Sequence, residues 1–195
     1  MTPDLPHAPG GPAVTASIRP ERPDDVEPIR ELLREAFGVE KVVTLVDLLR
    51  ASSVFIPTLS FVAETDAGVV GHVLLTRTTL RTDGPGSPGA VDVLNLSPLS
   101  VRPAVQGRGL GGTLLRMAVA AARDRGESLV VLEGDPGYYG RFGFRRASEL
   151  GIGRPSPLIP DEGFQALPLD AAGARLRGAV EYPAPFWDAD CVGPP

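Results

Sequence analysis

The chain has almost no cysteine or histidine: one thiol, Cys191, and two imidazoles, His7 and His72, among 195 residues. A lone cysteine excludes a disulfide within the chain, and neither Cys nor His is plentiful enough for a metal cluster, so no metal is expected. Positive charge is also scarce. Nineteen Lys and Arg stand against 24 Asp and Glu, for a net charge of −5 and a pI near 5.1. General nucleic-acid binders are usually basic, so nucleic acid is not expected as a partner. No apolar run reaches the eighteen or so residues of a membrane span. The N-terminal MTPDLPHAPGGPAVTAS has neither the charged nor the apolar part of a secretory leader. The expectation is a reduced, soluble, cytoplasmic protein with no membrane partner. Its apolar share of 43% is enough for a core, and the length suits one domain.

Residues 1–15, rich in Pro, Gly and Ala, read as a disordered tail, leaving 16–195 as the domain. Ser17-Ile18-Arg19-Pro20 reads as a short first strand. RPDDVEPIRELLREAFG follows with helical spacing at Ile29, Leu32, Leu33 and Phe37, with Asp24 or Asp25 as cap and Gly38 as stop. A second helix places Val42, Leu45, Val46 and Leu49 on one face. Residues 59–64 and 69–75 flank Thr65-Asp66-Ala67-Gly68 as a hairpin. TDGPGSPGA, residues 82–90, is a loop by composition. Val91 to Val101 is a strand interrupted at Asn95-Leu96-Ser97-Pro98, and the proline marks an edge or a bulge. A helix with Leu110, Leu114, Leu115, Ala118, Val119 and Ala122 in one stripe ends at Gly126, and Ser128 to Leu132 is a strand. Asp135-Pro136 starts a short helix, and strand candidates remain at 164–167 and 178–182. Strands and helices in this order suggest an α+β, α/β/α sandwich-like fold on a mixed central sheet.

The segment VRPAVQGRGLGG, residues 101–112, holds four glycines in six residues directly before an apolar helix. Strand, glycine-rich turn and helix together form an anion-binding arrangement. The first N–H groups of a helix lack internal partners, and glycine lets an oxyanion approach them. Glycine in a helix costs about 1 kcal/mol relative to alanine, which argues against an idle turn. Gly107-x-Gly109-x-x-Gly112 formally fits the dinucleotide fingerprint, with Glu133 near the expected acid. Three features oppose that reading: polar residues 102–106 separate strand from glycine, the unit follows antiparallel strands, and no second nucleotide half follows. A P-loop lacks its Lys-Ser or Lys-Thr.

A second motif, Tyr138-Tyr139-Gly140-Arg141-Phe142-Gly143-Phe144, lies about thirty residues after Gln106-Gly107-Arg108-Gly109-Leu110-Gly111. In this order the pair resembles the GNAT family of N-acetyltransferases. The longer strings VVGHVLL, LSPLSVRPAVQGRGLG and LEGDPGYYGRFGF look like those of a bacterial GNAT subgroup. The resemblance spans about Ile18 to Phe186. It implies the GNAT fold, with a bulged central strand splayed from its neighbour, and acetyl-CoA as co-substrate. It implies that main-chain N–H groups of Gln106, Gly107, Arg108, Gly109, Leu110, Gly111 and Gly112 hold the pyrophosphate. Leu99, Ser100 and Val101 would hydrogen-bond the pantetheine arm, and a strand N–H near Ser100 would receive the carbonyl oxygen. Arg102 and Arg108 are either added phosphate charge or solvated surface.

The implied chemistry is acetyl transfer to a primary amine by direct attack in a ternary complex; the alternative is a non-catalytic acyl-CoA-binding or regulatory module. A lysine amine takes about 4.6 kcal/mol to deprotonate at pH 7, an α-amine about 1 kcal/mol. A general base therefore matters most for a lysine-like acceptor. Tyr139 aligns with the family's acid, and Tyr138 reads as packing or cofactor contact. Glu133 is the leading base candidate because it ends a strand just before the tyrosines. Glu64, Asp92 and His72 are the others, and His72 on an apolar strand reads as a core residue. Cys191 lacks a His partner and reads as a passive thiol. Phe186 and Trp187 close the core or line the acceptor site. The acceptor is a small-molecule or peptide amine, and the protein a monomer or homodimer.

Overall fold

The computed structural model describes residues 15–82 and 89–193. Of the tail expected over 1–15, only Thr15 falls within them, and most of the expected 82–90 loop lies outside them. The chain runs β1 (Ser17–Pro20), α1 (Val26–Phe37), α2 (Glu40–Arg50), β2 (Phe55–Thr65), β3 (Gly68–Arg81) and β4 (Ala90–Val101). It continues through α3 (Leu110–Asp124), β5 (Leu129–Glu133), α4 (Pro136–Tyr139), β6 (Arg145–Arg146) and β7 (Ile152–Gly153). It ends with β8 (Phe164–Pro168), β9 (Gly178–Glu181) and α5 (Ala184–Asp188). β6 and β7 were not expected from the sequence; two residues are too few to show a period.

All the strands join one sheet, ordered β1-β2-β3-β4-β5-β8-β6. β9 pairs with the far end of β3 at Thr79–Arg81, beyond the stretch that β2 covers. Pairing along the main order is antiparallel except at β4–β5, which is parallel. Both faces of the sheet are covered. Leu129 and Val131 of β5 point into one core with Ile29, Leu32, Leu33, Val46, Leu49 and Phe186. Val130 and Leu132 point into the other, with Leu114, Leu115, Ala118 and Ala122 of α3. Burial on both sides explains why the central strands read as apolar runs rather than alternations.

The first helix departs from its expected start. A 3-10 turn at Pro23–Asp25 precedes it, and Asp25 makes no side-chain cap to α1. Its carboxylate instead accepts the Arg22 N–H at 2.7 Å and two guanidinium N–H groups of Arg19 at 2.6 and 2.8 Å. Gly38 ends α1 at φ 69°, as the sequence indicated. β4 is continuous through Asn95–Pro98, and the proline falls in a bulge. Val73 faces Leu99 and Leu75 faces Leu96, so β4 advances three residues where β3 advances two. β4 and β5 pair only at Leu94↔Val130 and Asn95↔Val131. Beyond that point β5 pairs with β8 alone, and a slot opens beside the last turnful of β4.

Candidate active site

Two surfaces meet at that slot. The first is the glycine turn. Gly107 and Gly109 adopt left-handed φ values of 73° and 84°, which side chains disfavour, and Gly109 caps α3. The first intrahelical bond is Thr113 N–H to the Gly109 carbonyl at 3.1 Å. The main-chain N–H groups of Gly107 through Gly112 donate to no acceptor among the described residues. Gln106 does not belong to that row. Its N–H reaches the Pro103 carbonyl at 3.3 Å, and its side-chain Nε2 donates to the Val101 carbonyl at 2.9 Å. Gln106 thus ties the turn to the end of β4.

Gly111 and Gly112 have a further reason to be glycine. A methyl group on Gly111 would come within 2.7 Å of the Tyr138 hydroxyl, and one on Gly112 within 2.8 Å of the Phe142 ring. The start of α3 is therefore bare partly to admit the aromatic segment after β5. Tyr138 also stacks with Phe142 at 5.4 Å and lies under the Arg141 guanidinium at 4.8 Å. It packs against the turn.

Along β4, Arg102 donates its N–H to the Val70 carbonyl at 2.9 Å. Strand alternation turns Ser100 the same way, toward β3, where it faces His72. Leu99 and Val101 then present their main-chain groups to the slot. The Ser100 main chain, turned toward β3, does not face the slot. Arg102 is committed elsewhere: Nε donates to the Val69 carbonyl at 2.8 Å, and the guanidinium pairs with Glu35 and, at 3.8 Å, Glu31 of α1. It latches α1 to β4 and is not free for a phosphate. Arg108 is exposed and pairs with no described residue. Arg116, Arg123 and Arg141 line a concavity beside α3.

The second surface is a cavity of about 220 Å³ on the opposite face, between α1–α2 and the C-terminal segment. Glu133 and Tyr139 both line it, so the two catalytic candidates converge. Tyr139 lies across the end of β5, where any side chain at Gly134 would overlap its ring. Its hydroxyl has no hydrogen-bond partner among the described residues, and burial raises its pKa above the ordinary value. Glu133 is also raised, because burial outweighs the hydrogen bonds it accepts. Those come from the Tyr182 hydroxyl at 2.9 Å and the Gly193 N–H. Tyr182 in turn stacks on Phe186 with centroids 4.4 Å apart.

The other base candidates lie elsewhere. Glu64 pairs with Arg19 at 2.8 Å, which holds its pKa below the ordinary value. Asp92 is exposed and loosely paired with Arg77 at 3.8 Å. His72 is fully buried, which lowers its pKa against the pull of Glu21, and sits 3.1 Å from Ser60 in a network with that carboxylate. Cys191 is half-buried at the cavity wall with its thiol pKa raised by burial, as suits an inert thiol. Phe186 lines the cavity, whereas Trp187 is half-exposed and donates Nε1 to the Tyr182 carbonyl at 3.3 Å. Sequence reasoning missed Asn95, Tyr182 and the α1–α2 wall; only Asn95 had a local signal, as an amide in an apolar strand. No metal-binding cluster and no membrane-spanning helix occur among the described residues.

Residues 17–147 match the acetyltransferase (GNAT) domain. The chain is 37% identical over 139 residues to the uncharacterized N-acetyltransferase YjhQ of Escherichia coli K12, covering 71% of this chain and 74% of that protein. It is 32% identical over 167 residues to the uncharacterized N-acetyltransferase YhbS of the same organism, covering 85% and 95%. The crystal structure of Escherichia coli YhbS in complex with CoA is similar at a TM-score of 0.80 and 29% identity, covering 90% of this chain and 94% of that one. A GNAT family acetyltransferase from Brucella melitensis in complex with acetyl-CoA is similar at a TM-score of 0.70 and 34% identity, covering 88% and 98%.

Proposed function

The chain belongs to the GNAT family of acetyltransferases, and from that premise we propose that it moves the acetyl group of acetyl-CoA to a primary amine by direct attack within a ternary complex. The observation that carries this reading is the row of unpartnered N–H groups from Gly107 to Gly112 at the mouth of the β4–β5 slot. Such a row at the positive end of α3 suits a diphosphate. Arg116, Arg123 and Arg141 make that side basic in a protein of net charge −5, which suits a polyanionic co-substrate. The main-chain groups of Leu99 and the N–H of Val101 suit the amides of the pantetheine arm, the Val101 carbonyl being held by Gln106. The two relatives solved with CoA and acetyl-CoA support the same co-substrate.

The acceptor enters from the α1–α2 face. Glu133 takes a proton from the attacking nitrogen, and its raised pKa makes it a better base than an ordinary carboxylate. The new C–N bond forms as the C–S bond breaks, and the electron pair of the latter stays on sulfur. Tyr139 faces that sulfur as a hydrogen-bond donor. A thiol near pKa 8.5 against an ordinary tyrosine near 10 already makes full proton transfer uphill by roughly 2 kcal/mol. Burial of Tyr139 raises its pKa and enlarges that gap. Tyr139 therefore stabilises the thiolate without surrendering its proton, and the proton that Glu133 took passes through solvent to the thiolate, which restores the carboxylate.

The test is calorimetric titration with acetyl-CoA followed by thiol release against a panel of primary amines. Micromolar binding with amine-dependent release supports the reading; acetyl-CoA binding without release from any amine returns the module, and no binding removes both.

A further inference from the structure

One buried polar side chain in the cavity wall stands unpaired. Asn95 is 1% exposed and lines the cavity, and neither its Oδ1 nor its Nδ2 has a hydrogen-bond partner among the described residues. Its cross-strand neighbour Thr76 is fully buried with an equally unpartnered Oγ1. Buried polar groups are nearly always satisfied, so three orphan atoms at one point of a sheet call for an outside partner.

The position of Asn95 says which partner. It is the last residue of β4 to pair with β5, opposite Val131. Glu133 stands two residues further along β5, on the same face, roughly 7 Å along the strand. Val93 and Val131, which share that face, belong to the core beneath α1 and α2. Asn95 thus looks to the acceptor side and not to the glycine turn. Apolar side chains of Phe37, Val39, Val42, Leu45 and Phe186 make up much of the wall, and its other polar side chains are Lys41, Ser97, Glu133, Tyr139 and Tyr182.

We infer that Asn95 is the specificity-determining residue of the acceptor site, and that the acceptor is a primary amine on an apolar skeleton that also carries a neutral carboxamide. This rests on the acetyltransferase reading. An Asn amide offers two N–H donors and an acceptor oxygen. A methyl group satisfies neither side, and a carboxylate meets Nδ2 but confronts Oδ1 with like charge. A carboxamide presents an N–H and a C=O on one edge and pairs with both. With that pair made, the amine at the other end of the skeleton lies toward Glu133.

The experiment uses ω-amino carboxamides with two to five methylenes, each beside its isopropyl isostere. Binding to the CoA-loaded protein is measured by calorimetry, and kcat and KM by thiol release from acetyl-CoA. Wild type should favour the matched carboxamide by roughly 100-fold, chiefly in KM. Asn95→Leu should erase that preference without lowering the melting temperature or the acetyl-CoA affinity. Asn95→Ser, which keeps a smaller polar group, should retain only part of the preference and serves if the Leu variant does not fold. The inference fails if wild type binds both series alike, if either variant keeps the full preference, or if Asn95→Leu weakens acetyl-CoA binding instead. Preferential binding of the carboxamides without thiol release sinks the transfer reaction and leaves Asn95 in its role. Thiol release from both series at equal rates sinks the role and leaves the reaction.

Discussion

Tyr182→Phe removes the side-chain hydrogen bond that tunes the proposed base. The substitution keeps the ring and its stacking on Phe186, and removes the hydroxyl that donates to Glu133 at 2.9 Å. That bond favours the carboxylate, opposing the burial that raises its pKa. A hydrogen bond to a charged group is worth about 1.5–3 kcal/mol, and one pKa unit is about 1.4 kcal/mol. The Gly193 N–H stays in place, so the Glu133 pKa should rise by about one further unit. A base works only when ionised. The acid limb of kcat/KM should therefore move up by about one pH unit in Tyr182→Phe, with the alkaline plateau within about twofold of wild type. Folding gives an independent check on the sign. A carboxylate whose folded pKa lies above its unfolded value contributes least once it must ionise, so the variant should lose more stability at pH 8 than at pH 5. Thiol release between about pH 5 and 9 reads the limb, and Glu133→Gln should have none. The same limb in wild type and Tyr182→Phe, or a limb that survives Glu133→Gln at undiminished turnover, would refute the assignment of the base.

Tyr139→Phe should lower kcat by about tenfold or more, since it removes the donor proposed to face the leaving sulfur, while calorimetry finds acetyl-CoA affinity unchanged. Gly111→Ala should lower the melting temperature even though alanine favours helix by about 1 kcal/mol, because the methyl group meets the Tyr138 hydroxyl. In a Tyr138→Phe background the same substitution should be neutral or stabilising by thermal melting, and a loss of equal size in both backgrounds would disprove the contact. The network of His72, Ser60 and Glu21 should make the fold acid-sensitive. Burial depresses His72, so stability declines as pH falls below about 6.5, where the unfolded imidazole takes a proton that the buried one resists; hydrogen bonds hold Glu21 low, and its contribution fades further below about 4.5. Urea midpoints should fall with pH through that window, and less steeply between about pH 6.5 and 5 in His72→Gln.

The parts of the fold visible in the sequence are those set by local periodicity. Leu114, Leu115, Ala118, Val119 and Ala122 share a face because the helical repeat puts them there, and all are buried. Pro98 announced the bulge in β4 by its inability to donate to a ladder. The missed residues act across the sheet. Tyr182 stands 49 residues from Glu133 and meets it because β9 and α5 return over the end of β5. Nothing near position 182 indicates that. Arg102 was open to either reading for the same reason. Beside the glycines it looks like phosphate charge, yet Glu31 and Glu35 reach it once α1 packs on the sheet.

The glycine run illustrates how a correct motif can carry two causes at once. Four glycines before a helix suggested a single ligand excluding every side chain. Gly107 and Gly109 fit that account, being left-handed and open to solvent with nothing near their missing methyl groups. Gly111 and Gly112 are bare for a second reason, the close approach of Tyr138 and Phe142. The two motifs that together suggested the family are therefore one packed unit. The aromatic segment after β5 holds the first turn of α3 in place, and the N–H groups of that turn stay free because its contacts are made through rings and a hydroxyl that leave the backbone donors alone. The same segment carries Tyr139 into the cavity on the other face. A shift of α3 along the sheet would then move the proposed diphosphate cradle and the Tyr139 hydroxyl together. Keeping those two at a constant separation is what a co-substrate of fixed length requires.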